Sequence, residues 1–412
     1  MERLSRSVLV LVAILTTAII LPKLYWMAFE KPHRVPFVLY SCINNDYLIL
    51  RTDGEVIRED TKGNQYTREE YEQKLPLMYM RQLLVSGTMP DTINGVAMEM
   101  HDLSMARSFY RFRPEDMITP KPKLYPLFEA ESGRAQLEMP EDFFRITWRV
   151  DFINANTNKI DEEKSRMFSA ALFQKGFKFP AKKIEGIPTT RKSCDEGYLI
   201  IDAEDQLFHL KMMEGLPYVY HVDLPAGMTF KHISCVDNKD KRFYAYLFTG
   251  NDEIYILTQD EYELIKLPIT GFHPETCELK IYSDYFHINV CVQDDDHLDV
   301  TTLNYDNFEV ADNYHETWAS RMNRSEGKVF SYLFPAQLSM TNPNTNFINF
   351  YWTFSGGYGW ILLNLVLLVI HFFIIRKRNV KIKSQLTDLL VIVITGIFGF
   401  LAVNIFPNKF FD

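Results

Sequence analysis

The chain has 412 residues, of which 47% are hydrophobic and 24% charged, and its formal net charge is −9. A chain of this length can build one or two substantial hydrophobic cores. The acidic balance argues against nucleic acid as a partner, because phosphate backbones attract basic proteins.

The N-terminal segment has the pattern of a membrane anchor. Two arginines precede an uncharged run at 8–21, and aromatic residues follow the run. A cleaved signal peptide would share the basic start and the apolar middle, but no small-x-small cleavage pattern follows here. The sequence therefore predicts a cytoplasmic N-terminus at 1–7 and an uncleaved transmembrane helix at 8–26, with a cleaved signal peptide as the alternative.

Region 27–322 is rich in short runs of aromatic and β-branched residues that are separated by polar turns, a pattern typical of strands. Three matching units, at 197–223, 242–266 and 285–310, each predict three antiparallel strands. One such unit cannot bury both of its faces, so neighbouring units must stack. The turns recur roughly every 44 to 53 residues, within the range of propeller blades. We therefore expect a mainly β, propeller-like domain, with two packed sheets as the alternative.

Two helical insertions interrupt this β pattern. Thr67 and Glu70 have the spacing of a capping box at the start of the first helix, and a second helix is predicted from Leu77 to Val85. The other insertion begins with acidic residues at Asp161, at the positive end of a helix dipole.

All five cysteines lie in the β-rich region, and their spacing matches no zinc signature. A tight turn at Ser283-Asp284 would place Leu279 opposite Ile288. Cys277 and Cys291 would then lie on opposite faces of the hairpin. Buried free thiols are therefore predicted for the whole set, which is Cys42, Cys194, Cys235, Cys277 and Cys291.

The C-terminal region predicts an aromatic membrane-proximal collar at 323–357 and two further transmembrane helices at 358–375 and 386–406, since about 20 apolar residues match a bilayer core. The loop between these two helices, 376–385, is basic. Short basic loops stay in the cytoplasm, so this loop sets the orientation. The β-rich region and the tail at 407–412 are then expected outside the cytoplasm.

The densest acidic cluster is Asp294-Asp295-Asp296-His297, at a predicted hairpin tip. Calcium requires several oxygen ligands at fixed spacing, and alternate residues of an extended chain point apart. A solvated turn is the favoured interpretation. A metal site that uses Asp294, Asp296 and His297 is the alternative.

Other motifs that carry chemistry are missing from the sequence. It contains no nucleophile elbow, phosphate-binding loop, dinucleotide fingerprint or His-x-x-x-His pair. No catalytic residue and no cofactor is therefore predicted, and the chain cannot itself be an ATPase. His209 and His287 lie in predicted strands and are expected to be hydrogen-bonded histidines of the core or the surface, with convergence from adjacent blades as the alternative. Asn364, in the middle of the second transmembrane segment, is expected to hydrogen-bond to a neighbouring helix.

The strings at 177–181, 195–202 and 207–211 resemble an uncharacterised family of bacterial envelope proteins whose shared domain has no known function. The resemblance implies the same layout of one N-terminal span, a large exported domain and two C-terminal spans. It places the protein in the bacterial inner membrane, with the large domain facing the periplasm. Members of the family accompany ABC-transporter components, which implies an ATPase or permease subunit as partner. No functional residue carries over.

These observations predict a non-enzymatic accessory subunit of an ABC-type transporter complex, with a propeller-like domain outside the cytoplasm. One alternative is a reduced permease subunit, which would need to form a homo-oligomer to supply a transport path. The other alternative is an envelope ligand-binding or sensor protein.

Overall fold

The computed structural model describes residues 2–31, 33–130, 136–192, 194–342 and 345–408. The chain divides into two compact units. The β unit comprises Pro36–Gln293 and Asp299–His315, and the helical unit comprises Met1–Val35, Asp294–Leu298 and Glu316–Asp412.

The helices and strands were numbered separately along the chain. The helices are α1 (Glu2–Phe29), α2 (Arg68–Lys74), α3 (Met80–Ser86), α4 (Met100–Ala106), α5 (Pro114–Ile118), α6 (Glu162–Gln174), α7 (Ser325–Leu333), α8 (Trp360–Lys377), α9 (Leu386–Thr395) and α10 (Ile397–Ile405). The strands are β1 (Phe37–Ser41), β2 (Asp46–Arg51), β3 (Ile57–Asp60), β4 (Thr92–Ile93), β5 (Val96–Ala97), β6 (Ser108–Phe112), β7 (Asp142–Ile146), β8 (Val150–Asn154), β9 (Ile160–Asp161), β10 (Lys183–Gly186), β11 (Tyr198–Ile201), β12 (Leu207–Met213), β13 (Leu216–Val222), β14 (Phe230–Cys235), β15 (Phe243–Thr249), β16 (Ile254–Thr258), β17 (Leu264–Lys266), β18 (Glu278–Ser283), β19 (His287–Gln293), β20 (His297–Asn304), β21 (Val310–Thr317), β22 (Ala336–Ser339) and β23 (Tyr351–Phe354).

The mainly β prediction is confirmed, and the strands form small antiparallel sheets. We number the larger sheets in chain order: the first is β1-β2-β3, the second β7-β8-β9, the third β10-β11-β12-β13, the fourth β14-β15-β16-β17, and the fifth β21-β20-β19-β18-β6. Neighbouring strands are mostly consecutive in sequence, as expected for hairpins. Strand β6 is the exception, because it joins the fifth sheet from a distant part of the chain. No sheet closes on itself within the described ranges.

The five sheets stack in the order first, fifth, fourth, third and second. The backbone N–H of Tyr40 in the first sheet donates to Asn289 Oδ1 in the fifth, at 3.0 Å. Phe112 of the fifth sheet packs on Phe248 of the fourth, with ring centroids 4.5 Å apart. Shared hydrophobic cores join the fourth sheet to the third and the third to the second. Because each inner sheet is covered on both faces, every residue of β11 and of β15 is buried.

The predicted helical insertions are confirmed. The Thr67 side chain accepts from the Glu70 N–H while Glu70 caps the Thr67 backbone, which forms the capping box that starts α2. Asp161 caps α6 by accepting from the N–H groups of Glu163 and Lys164. Helix α3 begins at Met80 instead of Leu77, and α4 and α5 were not predicted.

The predicted register of the β18–β19 hairpin is wrong. Leu279 pairs with Val292 and not with Ile288, a shift of four residues. The reason is that the turn lies two residues further along the chain, at Tyr285-Phe286, and the Asp284 N–H donates to the His287 carbonyl across it at 2.9 Å. Asp284 Oδ1 fixes this turn by accepting from the N–H groups of Phe286 and His287. An even shift keeps the apolar faces together. All five cysteines are free thiols, three of them buried.

Two helices among the described residues are long and apolar enough to cross a membrane, Leu4–Phe29 and Trp360–Lys377. The first lies near the N-terminus, where a signal sequence would also lie. The predicted third span at 386–406 is not among them, because the segment is not one continuous helix and breaks at Gly396 into α9 and α10. Helices of 10 and 9 residues are each about 15 Å long or less, roughly half of a bilayer core.

The predicted collar at 323–357 contains a packed aromatic cluster. Phe330 of α7 stacks on Trp26 of α1 with ring centroids 4.8 Å apart, and Phe334 stacks on Phe398 of α10 at 5.8 Å. The Tyr25 hydroxyl donates to the Glu326 carbonyl at 2.7 Å. Of the predicted tail at 407–412, residues 409–412 lie outside the described residues.

Candidate functional site

The predicted acidic cluster forms a turn in which neighbouring groups pair with one another. Asp295 Oδ2 accepts from the Arg321 N–H at 3.1 Å, and its carbonyl accepts from the Trp318 indole at 2.7 Å. His297 Nδ1 lies 2.8 Å from Asp296 Oδ1. Asp294 lies at the same turn, where its N–H donates to the His297 carbonyl. Among the described residues, no group of three His, Cys, Asp or Glu side chains could hold a metal ion.

The two strand histidines lie in separate places and do not form a site together. His209 is buried, with Nδ1 2.8 Å from the Tyr262 hydroxyl and Nε2 against the Glu196 carbonyl. Burial lowers the pKa of His209 to about 3, so the ring stays neutral. His287 is also buried and packs on Tyr40 with ring centroids 4.9 Å apart. Both are core histidines, which is one of the two predicted placements.

The β unit has a cleft of about 420 Å³ between its first and fifth sheets. Its walls come from separate segments of the chain: β1 and the turn after it, the loop that follows α2, strand β6, and the β18–β19 hairpin. Most of the lining is apolar, and the apolar side chains are Leu39, Leu75, Leu77, Met78 and Phe109. We call this cavity the sheet cleft. Binding sites for small molecules are usually apolar clefts with a few polar groups, and the sheet cleft has this composition.

The pairing of β6 with β18 assembles the sheet cleft. Ser108 pairs with Ser283, and Phe109 pairs with Tyr282. The Ser283 hydroxyl also donates to the Ala106 carbonyl at 3.2 Å, which fixes the start of β6. These bonds hold two distant stretches of sequence side by side, so the cleft is formed before any ligand arrives.

Asp284 supplies the charged group of the sheet cleft. Burial raises the pKa of its carboxyl to about 6, although the N–H groups of Phe286 and His287 each donate to Oδ1 at 2.8 Å and oppose the shift. These two bonds fix the orientation of the carboxyl. A carboxyl with a raised pKa in an apolar cleft is a recognised mark of a functional site.

Two further polar side chains of the sheet cleft, Arg107 and Asn289, hydrogen-bond within the protein. The exposed Arg107 guanidinium donates to the Met78 carbonyl at 3.4 Å. Asn289 Oδ1 accepts from the Thr302 hydroxyl at 3.0 Å as well as from the backbone of β1. The cleft therefore has an apolar lining with one carboxyl group, that of Asp284, and one guanidinium group, that of Arg107.

The sheet cleft has one thiol among its described lining residues, that of Cys42, and this thiol is not reactive. Burial, with the nearby Asp284 charge, raises the pKa of Cys42 to about 12. A thiol is nucleophilic only as the thiolate, so Cys42 stays protonated and inert at neutral pH. Among the described lining residues there is no histidine to serve as its base.

Sequence reasoning placed no residue in this cleft. Asp284 was recognised only as a turn residue, and Arg107 was not singled out. An aspartate at the start of a turn between two apolar strands was the available signal.

Sheets and helices together define a mainly β protein with two helices apolar enough to cross a membrane. Within that class, the chain belongs to the family of the domain of unknown function DUF4857, whose model matches residues 37–303. The matched range begins at the first residue of β1 and ends in β20, so the family domain covers the stacked sheets except for β21. The resemblance to a family without a known function is thereby confirmed. Its association with ABC-transporter components stays a prediction.

No curated protein matches the chain. Among solved structures, the chain is similar to the β-propeller domain of Cps50 (Swd1) from Myceliophteria thermophila, with 10% sequence identity and a TM-score of 0.24. The similarity covers 70% of this chain and 89% of that chain. At this TM-score it carries no argument about a ligand or a partner.

Proposed function

We propose that the protein is a non-enzymatic, membrane-anchored accessory subunit of an ABC-type transporter complex, whose β unit binds an apolar ligand outside the cytoplasm. The sheet cleft is the observation that carries the proposal. It is a preformed apolar cavity with one oriented carboxyl, on a chain that also has two helices suited to a bilayer. Its partners would be the ATPase and permease subunits of the complex.

The lining of the sheet cleft favours binding over catalysis. Covalent catalysis requires a nucleophile within hydrogen-bond reach of a base. The Cys42 thiol is protonated, and the Ser283 hydroxyl is engaged with a backbone carbonyl. Asp284 is held by backbone N–H groups in a fixed position. These features suit recognition of an apolar molecule whose polar end, an amine or a hydroxyl, faces the Asp284 carboxyl.

Exposed apolar side chains on α1 and α8 support membrane anchoring. Leu11, Leu362 and Leu365, among others on these helices, are exposed, although exposure of apolar surface to water is unfavourable by about 25 cal/mol per Å². A lipid environment removes this cost. The basic loop at 376–385 supports a cytoplasmic location for that loop, with the β unit in the periplasm of a bacterial inner-membrane protein.

The sheets also support a propeller-like arrangement of the β unit. The third and fourth sheets each have four antiparallel strands joined in sequence order, which is the form of a propeller blade. Each packs through apolar side chains on its neighbours in the stack. In such an arrangement the sheet cleft would lie between two adjacent blades.

Affinity isolation of the tagged full-length chain from native membranes in a mild detergent tests the partner. We expect mass spectrometry to find an ATPase with a phosphate-binding loop and a permease subunit in stoichiometric amounts. The Ser108→Trp variant, whose larger side chain fills the cleft, should still bind these partners, because the cleft is proposed to bind a ligand and not a partner subunit. Recovery of the chain alone, under conditions that keep another ABC transporter of the same membrane intact, would refute the proposal.

Photo-crosslinking tests the sheet cleft itself. A benzoylphenylalanine at Phe109, whose side chain is 59% exposed in the cleft, should capture a small apolar molecule in cells. The same group at Trp148, which is 82% exposed and does not line the cleft, is the matched control. We expect an adduct of defined mass at position 109 only. Identical results at the two positions would exclude a specific site.

A further inference from the structure

The apolar segment at 386–406 forms a helical hairpin. At Gly396, between α9 and α10, the backbone has φ 61° and ψ −131°, which a residue with a Cβ rarely adopts. A Cβ at this position would lie 3.6 Å from Pro335 and 3.8 Å from Trp360, the first residue of α8. The tip of the hairpin therefore lies at the end of the helical unit where α8 begins.

The two ends of the hairpin meet at the opposite end of the helical unit. Gln385 Nε2 donates to the Asn408 carbonyl at 3.3 Å, and Asn408 Nδ2 donates to the Ser384 carbonyl at 3.1 Å. Arg6 of α1 joins both arms, because it donates to Asp388 Oδ2 at 2.7 Å and to the Phe406 carbonyl at 2.9 Å. The basic loop and the start of the tail thus lie together.

A polar cavity of about 390 Å³ lies at the end where these hydrogen bonds join the two ends of the hairpin, between α8 and the hairpin. Asp388 lines it with 2% of its surface exposed, and its charge is neutralised by Arg6. The other polar lining residues are His371, Arg378, Gln385 and Asn408. We call this cavity the hairpin pocket.

His371 places an unused hydrogen-bond donor in the hairpin pocket. The Asn404 amide nitrogen donates to the Phe400 carbonyl at 2.7 Å and lies 3.3 Å from His371 Nδ1. Because an amide nitrogen only donates, Nδ1 accepts, and the neutral ring carries its proton on Nε2. His371 is 3% exposed, and its Nε2 has no hydrogen-bond partner among the described residues. A buried donor of this kind is costly unless a ligand accepts from it.

We propose that the hairpin pocket binds a phosphate group, with the His371 Nε2–H and the Arg378 guanidinium as donors. Arg378 has no ion pair among the residues that the structure describes, whereas the Asp388 carboxylate is already compensated. A planar guanidinium matches phosphate oxygens, and a phosphate accepts several hydrogen bonds at once. The group could belong to an anionic lipid headgroup or to free phosphate. This inference is independent of the transporter partner and of the sheet cleft.

Binding to the full-length chain in detergent tests the proposal with two probes. Native mass spectrometry measures retention of phosphatidylglycerol against diacylglycerol, and thermal unfolding measures the effect of inorganic phosphate. We expect Arg378→Gln to weaken the binding by about tenfold or more, since hydrogen bonds to charged groups are among the strongest. Arg376→Gln, an exposed change of equal charge in the last turn of α8 and outside the pocket, should have little effect.

Each outcome separates the alternatives. Retention of the lipid without a phosphate effect identifies a headgroup site, and the reverse identifies a site for the free anion. Equal losses in the two arginine variants would show attraction to the basic loop alone and would overturn the proposal. Absence of binding in both arms would overturn it as well. His371→Gln, which cannot place the same donor, should weaken binding while the melting temperature without ligand stays close to the parent value.

The hairpin can be checked separately by accessibility. A protease site inserted in the loop at 376–385 and another fused after the last residue should be cleaved from the same side of membrane vesicles. Cleavage from opposite sides would show that the segment at 386–406 crosses the membrane once, as its apolar length predicts. The hairpin and its pocket would then not exist.

Discussion

The Asp284 carboxyl allows a quantitative test of the sheet cleft. Burial raises its pKa from an ordinary value of 3.8 to about 6. A difference of about 2 units corresponds to about 3 kcal/mol between the two protonation states. Because the folded-state pKa lies above the unfolded-state value, the associated stability is fully present below about pH 4 and is lost as the pH rises through about 6.

The Asp284→Asn variant removes this ionisation and keeps the turn. The amide oxygen can still accept from the N–H groups of Phe286 and His287, as Oδ1 does now. Above about pH 6.5 we expect the variant to be more stable than the parent by up to about 3 kcal/mol. For a domain of this size that is a rise in melting temperature of roughly 6–12 °C. The difference should vanish near pH 4.

Thermal unfolding of the full-length chain between pH 4.5 and pH 8, followed by intrinsic fluorescence in one detergent, measures the effect. Asp223→Asn is the control, since the Asp223 side chain is 97% exposed and should give a small difference at every pH. A difference between Asp284→Asn and the parent that does not change with pH would show that the carboxyl is not buried as described. A variant less stable than the parent at pH 7.5 would have the same meaning.

Three further substitutions test the packing of the β unit by urea unfolding at pH 7.5. Tyr198→Phe removes the hydroxyl that donates to the Pro126 carbonyl at 2.7 Å and should lower the free energy of unfolding by about 1–3 kcal/mol; an unchanged value would contradict this bond. Gly197→Ala combines a φ of 65° with a Cβ only 2.1 Å from the Leu210 carbonyl, so a loss of ~3 kcal/mol is expected, and a neutral effect would refute the close approach. Thr67→Ala breaks the capping box of α2 and should cost about 1 kcal/mol, whereas Thr67→Ser should restore most of it.

Features that depend on neighbouring residues could be predicted from the sequence. The repeating strand units became parts of the third, fourth and fifth sheets because their strands, apart from β6 of the fifth sheet, follow one another along the chain. The capping box of α2 and the Asp161 cap of α6 involve residues no more than three apart. In these cases the pattern and the structure it predicts occupy the same short stretch.

The sheet cleft depends on contacts that no local pattern specifies. Its walls meet only because β6 pairs with β18, for example Phe112 with Leu279 across more than half of the β unit. The register error in the β18–β19 hairpin has a different origin, since the hydrogen bonds of Asp284 place the turn at Tyr285-Phe286, two residues beyond the predicted position. The alternation of strand residues gives the faces of a hairpin but not the position of its turn.

The broken third span shows why apolar length alone does not define a path through a membrane. In a straight helix at 1.5 Å per residue, Asp388 and Phe406 would lie about 27 Å apart along the axis. The side chain of Arg6 bonds to both residues at once. One arginine cannot reach both ends of such a helix, so these two bonds require the chain to reverse between them. The reversal falls at Gly396, whose backbone angles favour a residue without a side chain. In the sequence, the informative signals were a glycine in the middle of the run and polar residues near its two ends.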